Sequence, residues 1–393
     1  MAAIIKETGK PDKIKQLEQD FEKNRQEVVR IRNSREKTSD FTPEEKKTLR
    51  HCYVRLSALA KQLSNLKDGK EADELLALSK SLAEKAQSFG AVITAKTPKL
   101  TFDDVKGLND VKALVQSFVF MLENPKLTEY YKIEGGLGML MYGAPGTGKT
   151  MFAEAIATKL DLPLFIITPS DIFKSYVGES EAAVRQMFEE IDACPEGAVV
   201  FIDECESIFA ARKSDDKDYK SAVTTELLQR INGFGVNGAR RVMVAATNRP
   251  EMIDKAYLRH KRFSHLVHVT PPDDSAKEAI IRSKLNNIAV EGDKEEFIKK
   301  LLKMASGKKM EYSETMGGEV EQVVGYYSGA DISAIVEEAC RIALEWLEKN
   351  KQTEPIPLTM AMFEKAFAKI PPSISPSLLE EYANFRKNMA DGN

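Results

Sequence analysis

The most explicit chemistry in this 393-residue sequence lies in Gly143-Ala144-Pro145-Gly146-Thr147-Gly148-Lys149-Thr150. Glycines at these spacings let the backbone curl until several N–H groups point into one concavity, and a helix starting directly after the loop adds its positive N-terminal end. Such a cradle binds phosphate. Lys149 is placed to reach the β- and γ-phosphates of a nucleotide, and the Thr150 hydroxyl to bind Mg²⁺. The flanks agree: the apolar run Gly138-Met139-Leu140-Met141-Tyr142 precedes the loop, and Met151-Phe152-Ala153-Glu154-Ala155-Ile156-Ala157 continues it as a helix. A second reactive cluster is Ala198-Val199-Val200-Phe201-Ile202-Asp203-Glu204, an apolar strand that ends in two acids. Ligands bind where parallel strands end, so carboxylates there face a phosphate site. Asp203 would hold Mg²⁺, directly or through water, and Glu204 would orient and deprotonate an attacking water.

Chemistry of this kind needs a sheet to hold it. Leu162-Pro163-Leu164-Phe165-Ile166-Ile167 and Arg241-Val242-Met243-Val244-Ala245-Ala246-Thr247 read as further buried strands, and the second ends in the polar cluster Asn248-Arg249-Pro250. Helical patterns alternate with these strands. The fold class is therefore α/β, the parallel sheet of a phosphate-loop nucleoside triphosphatase sandwiched by helices.

Several segments together resemble the AAA ATPases. Thr101-Phe102-Asp103-Asp104-Val105-Lys106-Gly107-Leu108 is similar to a family segment ahead of the phosphate loop, and the Asn248 cluster is similar to the family's sensor. Tyr176-Val177-Gly178-Glu179-Ser180-Glu181 is similar to its first pore loop, Ile253 to Phe263 to its arginine segment, and Gly329-Ala330-Asp331-Ile332 to its lid motif. The resemblance spans Thr101 to Phe385. It implies an ATP site lined by Asp104, Val105 and Gly107 at the adenine, by Gly143 through Met151 at the phosphates, and by Gly329 and Ala330 from the lid. It also implies Mg²⁺-dependent hydrolysis, with Lys149, Glu204 and Asn248 acting within one subunit and Arg259 and Arg262 reaching the γ-phosphate of a neighbour. Tyr176 and Val177 would face the channel of a homo-oligomeric ring, a hexamer, where an aromatic ring grips a polypeptide with little regard to its sequence. Departures exist: Ser264 replaces an aspartate, Ser221 and Ala222 replace an arginine pair in the second pore loop, and Tyr326 stands at a glycine position.

The sequence divides into an N-terminal helical part (1–90), a linker (91–100), the large ATPase domain (101–271), a small all-α lid (272–371) and a C-terminal helix (372–393). That last helix, with Tyr382 and Phe385, resembles the one in katanin, spastin and the vacuolar-sorting ATPases. In the N-terminal part Ile14, Leu17, Phe21, Val28 and Ile31 mark a first helix over 12–35. Thr42-Pro43-Glu44-Glu45 forms a capping box for a second, with the stripe Leu49, Cys52, Leu56, Leu59, Leu63 and Leu66. Leu75, Leu78, Leu82, Ala86 and Phe89 mark a third. They form a bundle or a coiled coil and either recruit a protein substrate or adaptor or only support assembly. The segment from Ser306 to Gly318 reads as a solvent loop in the lid.

A formal net charge of −3 lacks the basic excess of an obligate nucleic-acid binder. The four cysteines form no CxxC pair, and no apolar run approaches the roughly 20 residues that span a bilayer, so a cytoplasmic protein is expected. None of His51, His260, His265 or His268 lies in an HExxH motif, which excludes a zinc protease within this sequence. Two functions stay open: a ring motor that threads protein substrates, and a nucleotide-gated scaffold that binds partners without threading them.

Overall fold

The computed structural model describes residues 2–33, 41–67, 69–89, 91, 93, 95–96, 98, 100–105, 108–131, 137–173, 179–194, 197–210, 218–232, 241–259, 262–306, 308–312 and 321–390. Five parallel strands form the central sheet: β1 (Leu137–Tyr142), β2 (Leu164–Ile167), β3 (Ala198–Ile202), β4 (Arg241–Thr247) and β5 (His265–His268). Their order is β2-β3-β4-β1-β5. Register decides where the chemistry sits. Tyr142 pairs with Thr247, and Ile202 pairs with Ala245, so the residues that follow these strands emerge along one edge. Both β1 and β3 are buried along their whole length, as befits parallel strands covered on two faces.

The N-terminal region comprises α1 (Ala2–Asn33), α2 (Pro43–Leu66) and α3 (Gly69–Ser88). The first helix thus starts ten residues before the expected Asp12. The capping box of α2 is formed, with Thr42 N donating to Glu45 at 2.8 Å and Glu45 N donating to Thr42 Oγ1 at 3.2 Å. Burial on α2 extends beyond its leucine stripe to Tyr53, Val54, Ala58 and Ala60. The reason is its position between α1 and α3 and against the ATPase domain: Leu49, Tyr53 and Val54 share one apolar core with Phe165, Ile167, Met187 and Phe188.

Within 91–100, expected as a linker, the described residues pack on the ATPase domain. Ile93 and Ala95 are buried, and Lys96 N donates to Leu164 O at 2.6 Å, covering the open edge of β2. Ile93 and Ala95 are spaced like the inward residues of a strand, but the stretch is too short to show a period on its own. The ATPase domain continues with α4 (Asn109–Glu123), α5 (Pro125–Tyr130), α6 (Lys149–Leu160), α7 (Pro169–Ile172), α8 (Glu179–Asp192) and α9 (Asp218–Asn232). Polar clamps join α2 to α8: Lys47 pairs with Glu189 at 3.0 Å and Arg50 with Glu190 at 3.2 Å. The fully buried Glu190 carboxylate also accepts from Ile93 N at 3.0 Å and Gln186 Nε2 at 2.8 Å.

The lid holds α10 (Asp274–Lys284), α11 (Lys294–Ala305), α12 (Gly329–Lys349) and α13 (Met360–Lys369), and α14 (Pro376–Ala390) follows. Its own core is built on Leu301, Ile332, Ile335 and Phe363. It is not all-α. Where a solvent loop was expected, β6 (Lys308–Tyr312) and β7 (Glu321–Gly325) pair antiparallel, and their Lys, Glu and Gln residues hide the strand period from an apolar pattern.

Because the N-terminal helices and the sheet share a core, they are expected to melt together. Glu190→Ala strips a buried ion pair of one partner and should cost about 3 kcal/mol. Calorimetry should show one transition for residues of both regions, lowered in the variant; an early separate melt of α1 to α3 would contradict the shared core.

Candidate nucleotide-binding and hydrolysis site

The loop after β1 closes on backbone that only glycine permits at two points. A side chain at Gly143 would place its Cβ 2.3 Å from Val269 O, and at Gly146, where φ is +72°, 2.8 Å from both Ala330 Cβ and Ser328 Oγ. The second contact is the lid docking on the loop, since Ala330 N donates to Gly146 O at 3.1 Å. Gly329 and Ala330 begin α12, whose start is fixed by the Ser328–Asp331 capping box. Thr147 Oγ1 donates to Ala144 O at 2.9 Å, and Pro145 lies between them on the exposed side of the loop.

Lys149, first residue of α6, is 8% exposed. Its ammonium donates to Gly143 O, Ala144 O and Asn248 Oδ1, each at 2.8 Å. Burial pulls its pKa down to about 8, while the charges of Asp203 and Glu206 oppose the fall. Next to it, Thr150 Oγ1 meets Asp203 Oδ2 at 3.3 Å. A hydroxyl and a carboxylate at this spacing form a hard-oxygen pair, which suits Mg²⁺, an ion that takes one or two protein oxygens and fills its sphere with phosphate and water. The described residues contain no group of three His, Cys, Asp or Glu that could hold a metal by itself. Met151, on the next position of α6, is 43% exposed.

Glu204 leaves β3 in the left-handed region at φ 49°, a conformation that costs a non-glycine residue energy. It heads a single 3-10 turn (205–207), donates its N–H to Asp203 Oδ1 at 3.0 Å and keeps its carboxylate exposed. Asn248 follows β4 and closes the group of Lys149, Thr150, Asp203 and Glu204.

On the opposite flank, the Asp104 carboxylate accepts from Thr101 N at 2.7 Å and Thr101 Oγ1 at 2.8 Å, which folds this segment into a turn. Val105 is buried, its carbonyl takes Lys112 Nζ at 2.6 Å, and Phe102 stacks on Phe152 of α6 at 5.5 Å. Gly107 lies outside the described residues, as do Tyr176 and Val177 of the expected pore loop.

The arginine segment is held from below. Phe209 stacks on Tyr257 at 4.0 Å and meets Phe263 at 5.3 Å, and Asp254 N donates to Phe209 O at 2.8 Å. Phe209 follows directly on the Glu204 turn, so the acids and the arginines share one packed unit. Arg262 donates to Ala256 O, whereas Arg259 is exposed.

Residues 139–271 match the family described as "ATPase family associated with various cellular activities (AAA)". The chain carries an AAA ATPase domain. Residues 334–389 match the "Vps4 C terminal oligomerisation domain". The chain is 31% identical over 276 residues to the mitochondrial ATP-dependent zinc metalloprotease FTSH 8 of Oryza sativa subsp. japonica, covering 69% of this chain and 30% of that protein. It is also 31% identical over 297 residues to the putative ribosome biogenesis ATPase nvl of Dictyostelium discoideum, covering 75% and 31%. It thus spans about a third of the length of these relatives. The crystal structure of the FIGL-1 AAA domain in complex with ADP superposes with a TM-score of 0.60 at 22% identity, covering 76% of this chain and 94% of that one, which shows the shared fold. ATP hydrolysis is the activity that unites this family, and the Lys149, Asp203 and Glu204 cluster has the groups for it.

Reading along the sequence missed two contacts on this site. Ser328 meets the loop at Gly146, and the Tyr382 hydroxyl donates to Asn248 O at 2.9 Å. Only the aromatic pair Tyr382 and Phe385 hinted that the last helix packs on the ATPase domain.

Removing the ammonium tests the site directly. Lys149→Ala should weaken ATP binding about 100-fold, the scale of charge-assisted hydrogen bonds to phosphate. Calorimetric titration would show it, and undiminished affinity would exclude this loop as the phosphate site.

Proposed function

We propose that the chain is a subunit of an ATP-driven ring that remodels protein substrates, with each hydrolytic centre completed by a neighbour. The observation that carries this reading is an asymmetry: Lys149, Thr150, Asp203, Glu204 and Asn248 follow neighbouring strand ends, while Arg259 stands exposed outside that group. The match of 334–389 to an oligomerisation domain supports self-association, and Leu344 and Trp346 within it are 65% and 43% exposed. Large apolar side chains left outside on one subunit suit burial against another. No helix among the described residues is long and apolar enough to cross a membrane.

In this centre the loop N–H groups and the Lys149 ammonium bind the β- and γ-phosphates. Glu204 takes the proton of the attacking water, and the Asn248 amide holds that water in line with the γ-phosphate. Mg²⁺ held by Thr150 and Asp203 would neutralise charge on the phosphate oxygens. Arg259 and Arg262 of the adjacent subunit stabilise the charge that builds in the transition state, an effect of about 10³ to 10⁵ in rate for such residues. Asp104, Val105 and Gly107 line the base, and Gly329 and Ala330 bring the lid to the phosphates, so the loss of the γ-phosphate moves the lid. Tyr176 and Val177 pass that movement to a polypeptide in the pore. The replacement of an arginine pair by Ser221 and Ala222 favours the second reading, a scaffold that binds without threading.

Mixing subunits tests the shared site. Glu204→Gln should bind ATP yet hydrolyse it at least 100-fold more slowly, and Arg259→Ala should be similarly inactive. Combined in one ring, a wild-type Glu204 meets a wild-type Arg259 at some interfaces, so the mixture should regain turnover. A mixture as inactive as its parts would contradict completion in trans.

A further inference from the structure

The segment that follows the lid crosses to the hydrolytic centre and touches a site-facing residue at each end. On the lid side, Ser373 Oγ donates to the Asp331 carboxylate at 2.6 Å, the same carboxylate that closes the α12 capping box. Ile374 and Tyr326 exchange backbone hydrogen bonds of 2.9 and 3.1 Å. On the other side, Tyr382 of α14 donates its phenol to Asn248 O at 2.9 Å. The tyrosine cannot drift: it is 2% exposed, with Tyr142 at 6.2 Å and His268 at 5.5 Å, and Phe385 meets Tyr142 edge-on at 5.1 Å. Burial pushes the phenol up to about 12, and Glu251, Glu381 and Glu206 push the same way, so it remains a donor at any physiological pH.

What this bond grips is the backbone of the residue whose amide oxygen takes Lys149 at 2.8 Å. The preceding Thr247 fixes the same turn from the sheet side, its Oγ1 accepting from Arg249 N at 2.9 Å. The turn that carries Asn248 is thus held through its main chain by two hydroxyls, and the Asn248 side chain is left to face the site.

We propose that Tyr382 is a positioning residue for hydrolysis: its phenol fixes the Asn248 carbonyl and thereby the angle at which the Asn248 amide meets Lys149 and the attacking water. This rests on the reading of Asn248 as the group that holds that water. It makes the seating of α14 a requirement for turnover that is separate from nucleotide binding. Lys149 keeps Gly143 O and Ala144 O as acceptors whatever the angle of Asn248, and among the described residues the adenine flank makes no contact with Tyr382, so binding is spared when the bond is lost.

Tyr382→Phe keeps the ring in its aromatic box and removes one hydroxyl. In the full chain, kcat for ATP should fall three- to tenfold, the loss expected for one neutral hydrogen bond, with KM and the ATP Kd within twofold of wild type. In an Asn248→Ala background, adding Tyr382→Phe should leave the residual turnover unchanged, because the two residues act as one unit. Phe385→Leu loosens the same helix and keeps the phenol; it should lower the Tm more than Tyr382→Phe does, and kcat less. An unchanged kcat in Tyr382→Phe, a full further loss in the Asn248→Ala background, or kcat losses that simply follow Tm across the three variants would each overturn the proposal. A wild-type chain that binds ATP without hydrolysing it would sink the reading of the centre itself, which keeps the two failures distinguishable.

Discussion

A buried ammonium is tolerable only where oxygen surrounds it, and Lys149 satisfies that rule with three acceptors at 2.8 Å. Two of them are carbonyls of its own loop and the third belongs to Asn248, so one side chain ties the turn after β1 to the turn after β4. These strands are neighbours in register, Tyr142 beside Thr247, which is why the tie can be so short. The third strand of the group, β3, ends beside them with Asp203 against Thr150. Parallel strands in matched register thus do the gathering. Burial then gives the ammonium its electrostatic strength, at a cost visible in a pKa of about 8.

Both ends of the chain return to this sheet. The N-terminal helices complete the apolar core around β2 and α8 and are pinned through the buried Glu190, so they are structural parts of the ATPase domain whatever else they bind. The C-terminal segment ties the lid to the turn after β4 through Ser373 and Tyr382. The lid and the strand-end turns are therefore one connected frame, since the lid touches Gly146 at one point and reaches Asn248 through α14 at another.

Legibility in the sequence followed the range of the interactions. The loop from Gly143 to Thr150, the acids at Asp203 and Glu204 and the capping box at Thr42 are local patterns, and each stands where its residues imply. The strands β1 to β4 were legible because buried parallel strands are continuously apolar, whereas β5, with a histidine at each end, was not. The seating of Ile93 and Ala95 was not, since they gain meaning only once β2 offers an open edge. The pair of β6 and β7 is too polar to show a period. Tyr53, Val54 and Ala58 read as the outer face of a helix until a third neighbour covers them. The bond from Tyr382 to Asn248 spans 134 positions, and no local pattern could announce it.

On the proposed reading, the centre built by Lys149, Asp203, Glu204 and Asn248 is chemically incomplete in a single chain. Steady-state ATP turnover per subunit, measured across a wide range of protein concentration with mass photometry at each point, tests it most directly. Turnover per subunit should rise steeply and in step with the assembled fraction, then level off once assembly is complete. A turnover per subunit that stays constant down to concentrations where only monomers are present would contradict it.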